Sequence, residues 1–149
     1  MDSSCKIAVI VVVYNKSCKE SITCQALKAL RHTKVSVLVY DNSVRDFGNA
    51  SYCEKQEWIY FSQGENVGIS KAYNVCVDHL KKYMLADYLC LFDDDTNISE
   101  EYFDTLNSAI NGYDADIYVP FIFSAGRLLS PCKIKPNFSV SMFKDEKEA

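Results

Sequence analysis

The chain has 149 residues, of which 48% are apolar and 24% are charged, and its formal net charge is −4. This length fits one domain whose core buries roughly two thirds of the surface of the unfolded chain. Lysine and arginine are scattered along the sequence, which excludes a protein that binds a nucleic-acid backbone through a basic stripe. The longest apolar run, Ile7–Val13, is too short to span a membrane.

Seven cysteines are present, an odd number, and no C-x-x-C pair occurs. Cys76 and Cys90 lie in apolar runs, where a free thiol packs as a small hydrophobic group. These features favour reduced thiols and a cytoplasmic location over a disulfide framework. Structural zinc is disfavoured because His32 and His79 have no ligand partners nearby in the sequence.

Strands and helices alternate along the predicted chain. Residues 7–13 are apolar on both faces, as expected of a central strand in a parallel sheet. The S-x-x-E capping box of Ser17 and Glu20 predicts the start of the first helix. The apolar side of that helix is predicted to consist of Ile22, Ala26, Leu27 and Leu30.

Further strands are predicted at residues 35–40, 58–61, 88–92 and 117–123, with a short partner strand at 128–134. Helices are predicted at residues 69–83 and from Asn97 or Ser99 to about residue 110. This order predicts an α/β fold with a mostly parallel central sheet flanked by helices. We expect one domain over residues 1–143 and a charged, disordered tail over residues 144–149.

Sheets of this kind bind ligands beyond the carboxyl ends of their strands. The fourth predicted strand ends in the acidic triplet Asp93, Asp94 and Asp95. Adjacent carboxylates repel each other, and Mg²⁺ or Mn²⁺ offsets that repulsion by taking carboxylate and phosphate oxygens together. In an extended segment Asp93 and Asp95 face one ligand while Asp94 points elsewhere. The alternative is a solvated acidic turn that caps the next helix.

Polar residues also follow the other strands. Asp41 is suited either to hydrogen bonding with a base or ribose or to ordinary turn formation, and Tyr14, followed by Asn15, either stacks on a base or packs in the core. Residues 66–74 open a helix whose N–H groups attract anions such as a diphosphate, and Gly68 permits close backbone approach. The alternative for this segment is a simple turn from loop to helix. Neither G-x-G-x-x-G nor G-K-[ST] occurs, so a dinucleotide site or a nucleoside triphosphatase is unsupported.

Four segments together resemble the inverting family-2 glycosyltransferases, which have the Rossmann-like GT-A fold: residues 11–15 (VVVYN), 39–43 (VYDNS), 66–74 (NVGISKAYN) and 91–96 (LFDDDT). The last two segments are most similar to the rhamnosyl- and galactofuranosyl-transferring branches. The resemblance implies a transferase that moves a sugar with inversion from a UDP- or dTDP-sugar. The implied acceptor is a saccharide or a lipid-linked molecule of polysaccharide biosynthesis, which is compatible with peripheral membrane association.

The resemblance also implies roles for individual residues. Tyr14 would lie against the nucleobase, and Asp41 would bind the base or ribose. In the D-x-D motif, Asp93 would contact the ribose or sugar and Asp95 would hold the metal that bridges the diphosphate. Many relatives have arginine where Tyr73 stands, and Lys71 is the candidate replacement for that phosphate-facing cation. The predicted nucleotide-binding residues are Tyr14, Asn15, Asp41, Asn66, Gly68, Lys71, Asp93 and Asp94. The predicted ligands of Mn²⁺ or Mg²⁺ are Asp93 and Asp95.

Members of that family are longer than this chain, so we expect a donor-binding portion whose general base lies beyond its end. No catalytic base is therefore assigned. Two alternatives stay open. One is a truncated nucleotide-binding domain without catalytic activity. The other is a haloacid-dehalogenase-type phosphatase in which Asp93 attacks phosphorus and Asp95 acts as acid or base.

Overall fold

The structure is a computed structural model that describes residues 5–31, 35–124, 126–130, 132–134 and 140–142. The chain divides into two compact units, Met1–Asn107 and Ser108–Ala149. The tail at residues 144–149, which is predicted to be disordered, lies outside the described residues. His32, which is predicted to have no zinc-ligand partners nearby in the sequence, also lies outside them. The single domain over residues 1–143 stays a prediction.

The first unit alternates strands and helices as predicted. Its elements in chain order are β1 (Ile7–Val13), α1 (Ile22–Ala29), β2 (Ser36–Asp41), α2 (Asn49–Lys55), β3 (Ile59–Ser62), α3 (Ile69–Tyr83) and β4 (Tyr88–Phe92). The helix α4 (Glu100–Gly112) begins directly after Ser99 and crosses the boundary between the units.

The four strands form one parallel sheet in the order β3-β2-β1-β4. The predicted parallel sheet is therefore confirmed, and β1 lies inside it between β2 and β4. In the register, Val13 pairs with Asp41 and Asp41 pairs with Ser62. Because these residues end their strands, the segments that follow β1, β2 and β3 leave the sheet at the same edge.

The core is built on β1, whose residues are buried on both faces of the sheet. On one face, Ala8 and Ile10 pack with a stripe of α3 formed by Ala72, Cys76 and Leu80. Burial of each large aliphatic side chain contributes roughly 1.5–3 kcal/mol relative to exposure. Cys76 and Cys90 are both buried, which confirms their predicted packing as small hydrophobic groups.

The start of α1 was predicted one turn too early. Ser17 and Glu20 close a separate turn, in which the Ser17 N–H donates to the Glu20 carboxylate over 3.3 Å. The residue that caps α1 is Ser21, whose Oγ accepts from the Cys24 N–H. The buried side is consequently formed by Thr23, Cys24 and Leu27, whereas Ile22 is 52% exposed.

One helix and part of one strand also differ from expectation. The polar stretch after β2 contains the unpredicted helix α2. In the second unit, β5 (Ile122–Ser124) pairs antiparallel with β6 (Arg127–Ser130), so only the end of the strand predicted at residues 117–123 is present. The strands β7 (Cys132–Ile134) and β8 (Val140–Met142) form a second antiparallel pair.

Two chemical properties hold for the described residues. None of their helices combines the length and apolar character that a membrane crossing requires. The cysteines whose side chains are described are all unpaired thiols.

Candidate functional site

An open pocket of about 610 Å³ lies in the first unit, at the edge where the parallel strands end. Its volume is within the range of roughly 300–1,000 Å³ that is usual for small-molecule sites. Four segments form it: the ends of β1 and β2 with the residues that follow them, the loop that leads into α3, and the residues after β4. The lining residues are Val12, Tyr14, Lys16, Asn42, Asn66, Gly68, Ile69, Asp93, Asp94 and Asp95.

The acidic segment after β4 is held by the N-terminal end of α1. The Ser21 hydroxyl donates to the Asp94 carbonyl over 2.7 Å, and the Thr23 N–H donates to the same carbonyl over 3.3 Å. The Thr23 hydroxyl accepts from the Thr96 N–H over 2.8 Å and contacts the carbonyl oxygen of Asp93. The backbone of the acidic segment is therefore fixed by α1.

The segment is a turn rather than the extended segment that was predicted, and all three aspartates line the pocket, including Asp94, which was expected to point elsewhere. The Asp94 carboxylate forms an ion pair with Lys16, whose Nζ lies 2.8 Å from Oδ2. The hydrogen bond to Asp94 raises the pKa of Lys16. Asp93 and Asp95 are exposed, and no hydrogen bond or ion pair engages their carboxylates within the described part of the chain.

The loop before α3 is clamped by two amide side chains. Asn42 donates through Nδ2 to Asn66 Oδ1 over 2.8 Å, and its own Oδ1 accepts from the Val67 N–H over 2.8 Å. The Gly68 N–H donates to the same Asn66 oxygen over 3.0 Å. Asn66 therefore keeps its Nδ2 group as a donor without a partner among the described residues.

Gly68 occupies a backbone conformation that other residues rarely adopt, with φ 83° and ψ 152°. It precedes α3, which has no side-chain cap. The first backbone N–H groups of a helix have no partners inside the helix, so they remain donors at its N-terminal end. Ile69 begins α3 and lines the pocket, which brings these donors to its wall.

Asp41 lies beneath the pocket in a buried hydrogen-bonding network and is 2% exposed. Its Oδ2 accepts from Asn49 Nδ2 over 2.8 Å and from the Tyr60 hydroxyl over 3.2 Å, and its Oδ1 accepts from the Ser43 N–H over 3.1 Å. Burial, followed by the charge of Asp41, raises the pKa of Tyr60 to about 12. The Asp41 carboxylate thus accepts three hydrogen bonds from within the protein.

Most of the predicted residues meet at one place. The pocket includes Tyr14, Asn66 and Gly68 together with the three aspartates, and Tyr14 is 51% exposed, so its alternative placement in the core is wrong. Within the described residues, the lining does not include Asn15, Asp41 or Lys71. Asn15 has a positive φ of 50°, and its N–H donates to Ser43 Oγ over 2.8 Å.

Two polar pocket residues, Lys16 and Asn42, were not predicted as site residues. Both directly follow residues that were: Lys16 comes after Asn15 and Asn42 comes after Asp41. The signal that finds them is position, because the first few residues after a parallel strand leave the sheet at the edge where ligands bind.

Comparison with known proteins identifies relatives of this arrangement. The model of the family described as Glycosyl transferase family 2 matches residues 8–147. Glycosyltransferase GlyA of Streptococcus pneumoniae serotype 4 (strain ATCC BAA-334 / TIGR4) is 32% identical over 126 residues, which cover 80% of this chain and 17% of GlyA. The chain therefore spans less than a fifth of the length of that relative.

Two crystal structures of TarS from S. aureus are similar in fold. The TM-score is 0.52 at 21% identity for TarS and 0.53 at 22% identity for TarS 1-349. Each match covers 71% of this chain, and the matches cover 19% and 32% of the respective TarS chains. The parallel four-stranded sheet flanked by helices is thus the GT-A arrangement that was predicted.

Proposed function

We propose, because this chain belongs to glycosyl transferase family 2, that its pocket binds the nucleoside diphosphate sugar from which a sugar is transferred to an acceptor. The observation that carries the proposal is the convergence of four strand-end segments on one pocket of about 610 Å³. These segments bring together an aromatic ring, amide donors and an acidic turn, which match a base, a diphosphate and a divalent cation. The matched family leaves the phosphatase alternative without support.

The nucleobase is assigned to Tyr14, which lines the pocket and exposes about half of its surface. An exposed tyrosine ring offers an apolar face on which a planar base stacks. The diphosphate is assigned to the wall formed by the Nδ2 group of Asn66 and the N-terminal end of α3, where unpaired N–H donors favour an anion. Asp41 then supports the pocket from below through Asn49 rather than through the ligand.

The acidic turn fits a divalent cation that is shared with the ligand. Among the described residues no three acidic, histidine or cysteine side chains are grouped as a complete metal site. Mg²⁺ usually binds through one or two carboxylates, several waters and the phosphates of a substrate. Asp93 and Asp95 provide two exposed carboxylates of this kind, and Mn²⁺ or Mg²⁺ held by them would neutralise charge on the diphosphate as it leaves.

The proposed reaction is one displacement at the anomeric carbon. The bond from that carbon to the diphosphate oxygen breaks, a bond to the acceptor oxygen forms on the opposite face, and the acceptor's proton goes to a carboxylate base. The residues of this chain hold the donor, and none of the pocket residues is assigned as that base. The proposed donors are UDP- and dTDP-sugars, and the proposed acceptors are saccharides or lipid-linked molecules.

Calorimetric titration of UDP and dTDP, with and without Mn²⁺, tests the donor site. We expect one of the two nucleotides to bind in the presence of Mn²⁺ and Asp95→Asn to weaken this binding at least tenfold, about 1.4 kcal/mol. Asp114→Asn is the matched control, because Asp114 is exposed and lies outside the pocket. A folded protein that binds neither nucleotide contradicts the proposal. Binding without release of sugar from the intact donor favours the catalytically inactive alternative.

A further inference from the structure

Lys16 is the only lysine or arginine among the described residues that line the pocket. A nucleoside diphosphate carries at least two negative charges, and the same pocket already contains three aspartates. We propose that Lys16 contacts the diphosphate of the donor and is the phosphate-binding cation of this chain. This inference rests on the proposed function and adds to it Lys16, a residue between β1 and α1 to which no donor role has been assigned.

The backbone of Lys16 is hydrogen-bonded to a buried side chain at the start of α2. Asn49 is fully buried at the start of α2, and its Nδ2 group donates to the Lys16 carbonyl over 3.0 Å and to Asp41 Oδ2 over 2.8 Å. The Oδ1 atom of Asn49 accepts from the Cys18 N–H over 2.7 Å. The buried Asn49 side chain thus hydrogen-bonds to the backbone of both neighbours of Ser17. The position from which the Lys16 side chain extends is therefore well determined.

The ammonium group is held at the pocket wall without being buried. Its ion pair with Asp94 spans 2.8 Å, while the two side chains remain 33% and 20% exposed. An ion pair with this degree of exposure is weak, because water screens it. A diphosphate that enters the pocket offers more negative charge than the single carboxylate of Asp94. It therefore competes effectively for the same ammonium group.

The residue that was expected to provide this charge is elsewhere. Lys71 is exposed on α3 and lies outside the pocket lining within the described residues. Tyr73, the other position considered, is half-buried, and a tyrosine hydroxyl carries no positive charge. Lys16, in contrast, has a fixed backbone, an accessible ammonium group and a position beside the acidic turn. It is therefore the one of these three residues that can bring a positive charge to a diphosphate in the pocket.

The test compares Lys16→Met and Lys16→Arg with the matched control Lys19→Met, since Lys19 is exposed three residues further along and outside the pocket. The probes are UDP, inorganic pyrophosphate and uridine, each titrated with Mn²⁺ present; dTDP and thymidine replace UDP and uridine if the wild type binds dTDP instead. We expect Lys16→Met to weaken UDP and pyrophosphate binding about tenfold or more, which corresponds to about 1.4 kcal/mol. Uridine binding should be unchanged, Lys16→Arg should restore most of the affinity, and Lys19→Met should match the wild type.

A second readout separates phosphate binding from a structural role. Removing the ammonium group frees Asp94 and removes a repulsive charge, so Lys16→Met should bind Mn²⁺ alone at least as tightly as the wild type. Equal binding of UDP and pyrophosphate by Lys16→Met and the wild type overturns the inference and leaves the proposed function standing. Weakened uridine and Mn²⁺ binding also overturns it, because the lysine would then merely maintain the site. A wild-type protein that binds no nucleotide overturns the proposed function itself.

Discussion

Replacing Thr23 with valine tests how the acidic turn is held, because valine keeps the shape of threonine and removes its hydroxyl. That hydroxyl accepts from the Thr96 N–H over 2.8 Å and contacts the Asp93 carbonyl, and Thr23 itself is fully buried. In the variant, the Thr96 N–H and the Asp93 carbonyl lose their hydroxyl partner. The valine methyl group that takes its place keeps water from replacing it. A buried polar group without a partner costs about 1–3 kcal/mol.

We therefore expect Thr23→Val to lower the free energy of unfolding by about 1–3 kcal/mol. For a chain of this size that loss lowers Tm by about 3–10 °C. Circular dichroism during thermal and urea unfolding measures both quantities. Thr23→Ser is the control, since it keeps the hydroxyl and removes only a methyl group. Metal-dependent UDP binding should weaken in the valine variant and persist in the serine variant.

The reasoning is refuted if Thr23→Val unfolds at the same temperature and urea concentration as the wild type. It is also refuted if the serine variant loses UDP binding while the valine variant keeps it. In either case the hydrogen bonds from α1 would not be what fixes the acidic turn.

Three further predictions concern the framework of the pocket. Asp41→Asn should lower the free energy of unfolding by about 1–3 kcal/mol, because an amide cannot accept from Asn49, Tyr60 and the Ser43 N–H together; unchanged urea unfolding would contradict this. Gly68→Ala should cost about 1–3 kcal/mol through strain at φ 83°, whereas Gly112→Ala, at a glycine without positive φ, should cost less in the same assay. Burial raises the pKa of Cys76 from 9.0 to about 12, so the unfolded thiol ionises first and stability should fall as pH rises from 9 towards 12. Urea unfolding at pH 8 and pH 10.5 should show a smaller difference for Cys76→Ala than for the wild type.

The parallel sheet could be predicted because its signal is local. The unbroken apolar run of β1 excludes a strand with one solvated face, and the alternation of strands and helices leaves few other arrangements. The rule that ligands bind beyond the carboxyl ends of such strands predicts that Tyr14, Asn66 and the aspartates meet at one edge of the sheet, and the structure brings them together in one pocket. Residue spacing alone was sufficient for this part of the site.

The remaining features depend on contacts between segments that are distant in sequence. The hydrogen bond that Asn49 of α2 donates to Asp41 keeps this carboxylate bound within the protein. The helix α2 has seven residues, few apolar positions and no clear sequence signal. The start of α1 is decided by Ser21 rather than Ser17, because the Ser21 hydroxyl reaches the Asp94 carbonyl as well as the Cys24 N–H. A local capping pattern cannot distinguish these two serines, since the partner that selects one of them lies more than 70 residues away.

The measurement that tests the central claim most directly is a ¹H–¹⁵N NMR titration with UDP and substoichiometric Mn²⁺, in which the paramagnetic ion broadens nearby amide signals. The proposed donor site predicts that UDP-dependent broadening is strongest for residues 93–96 and extends to Lys16 and Thr23, which contact that turn. Trp58, the residue before β3 and outside the pocket lining, should remain sharp. Broadening that does not depend on UDP, or that centres on Asp114 and Asp116, would contradict the account.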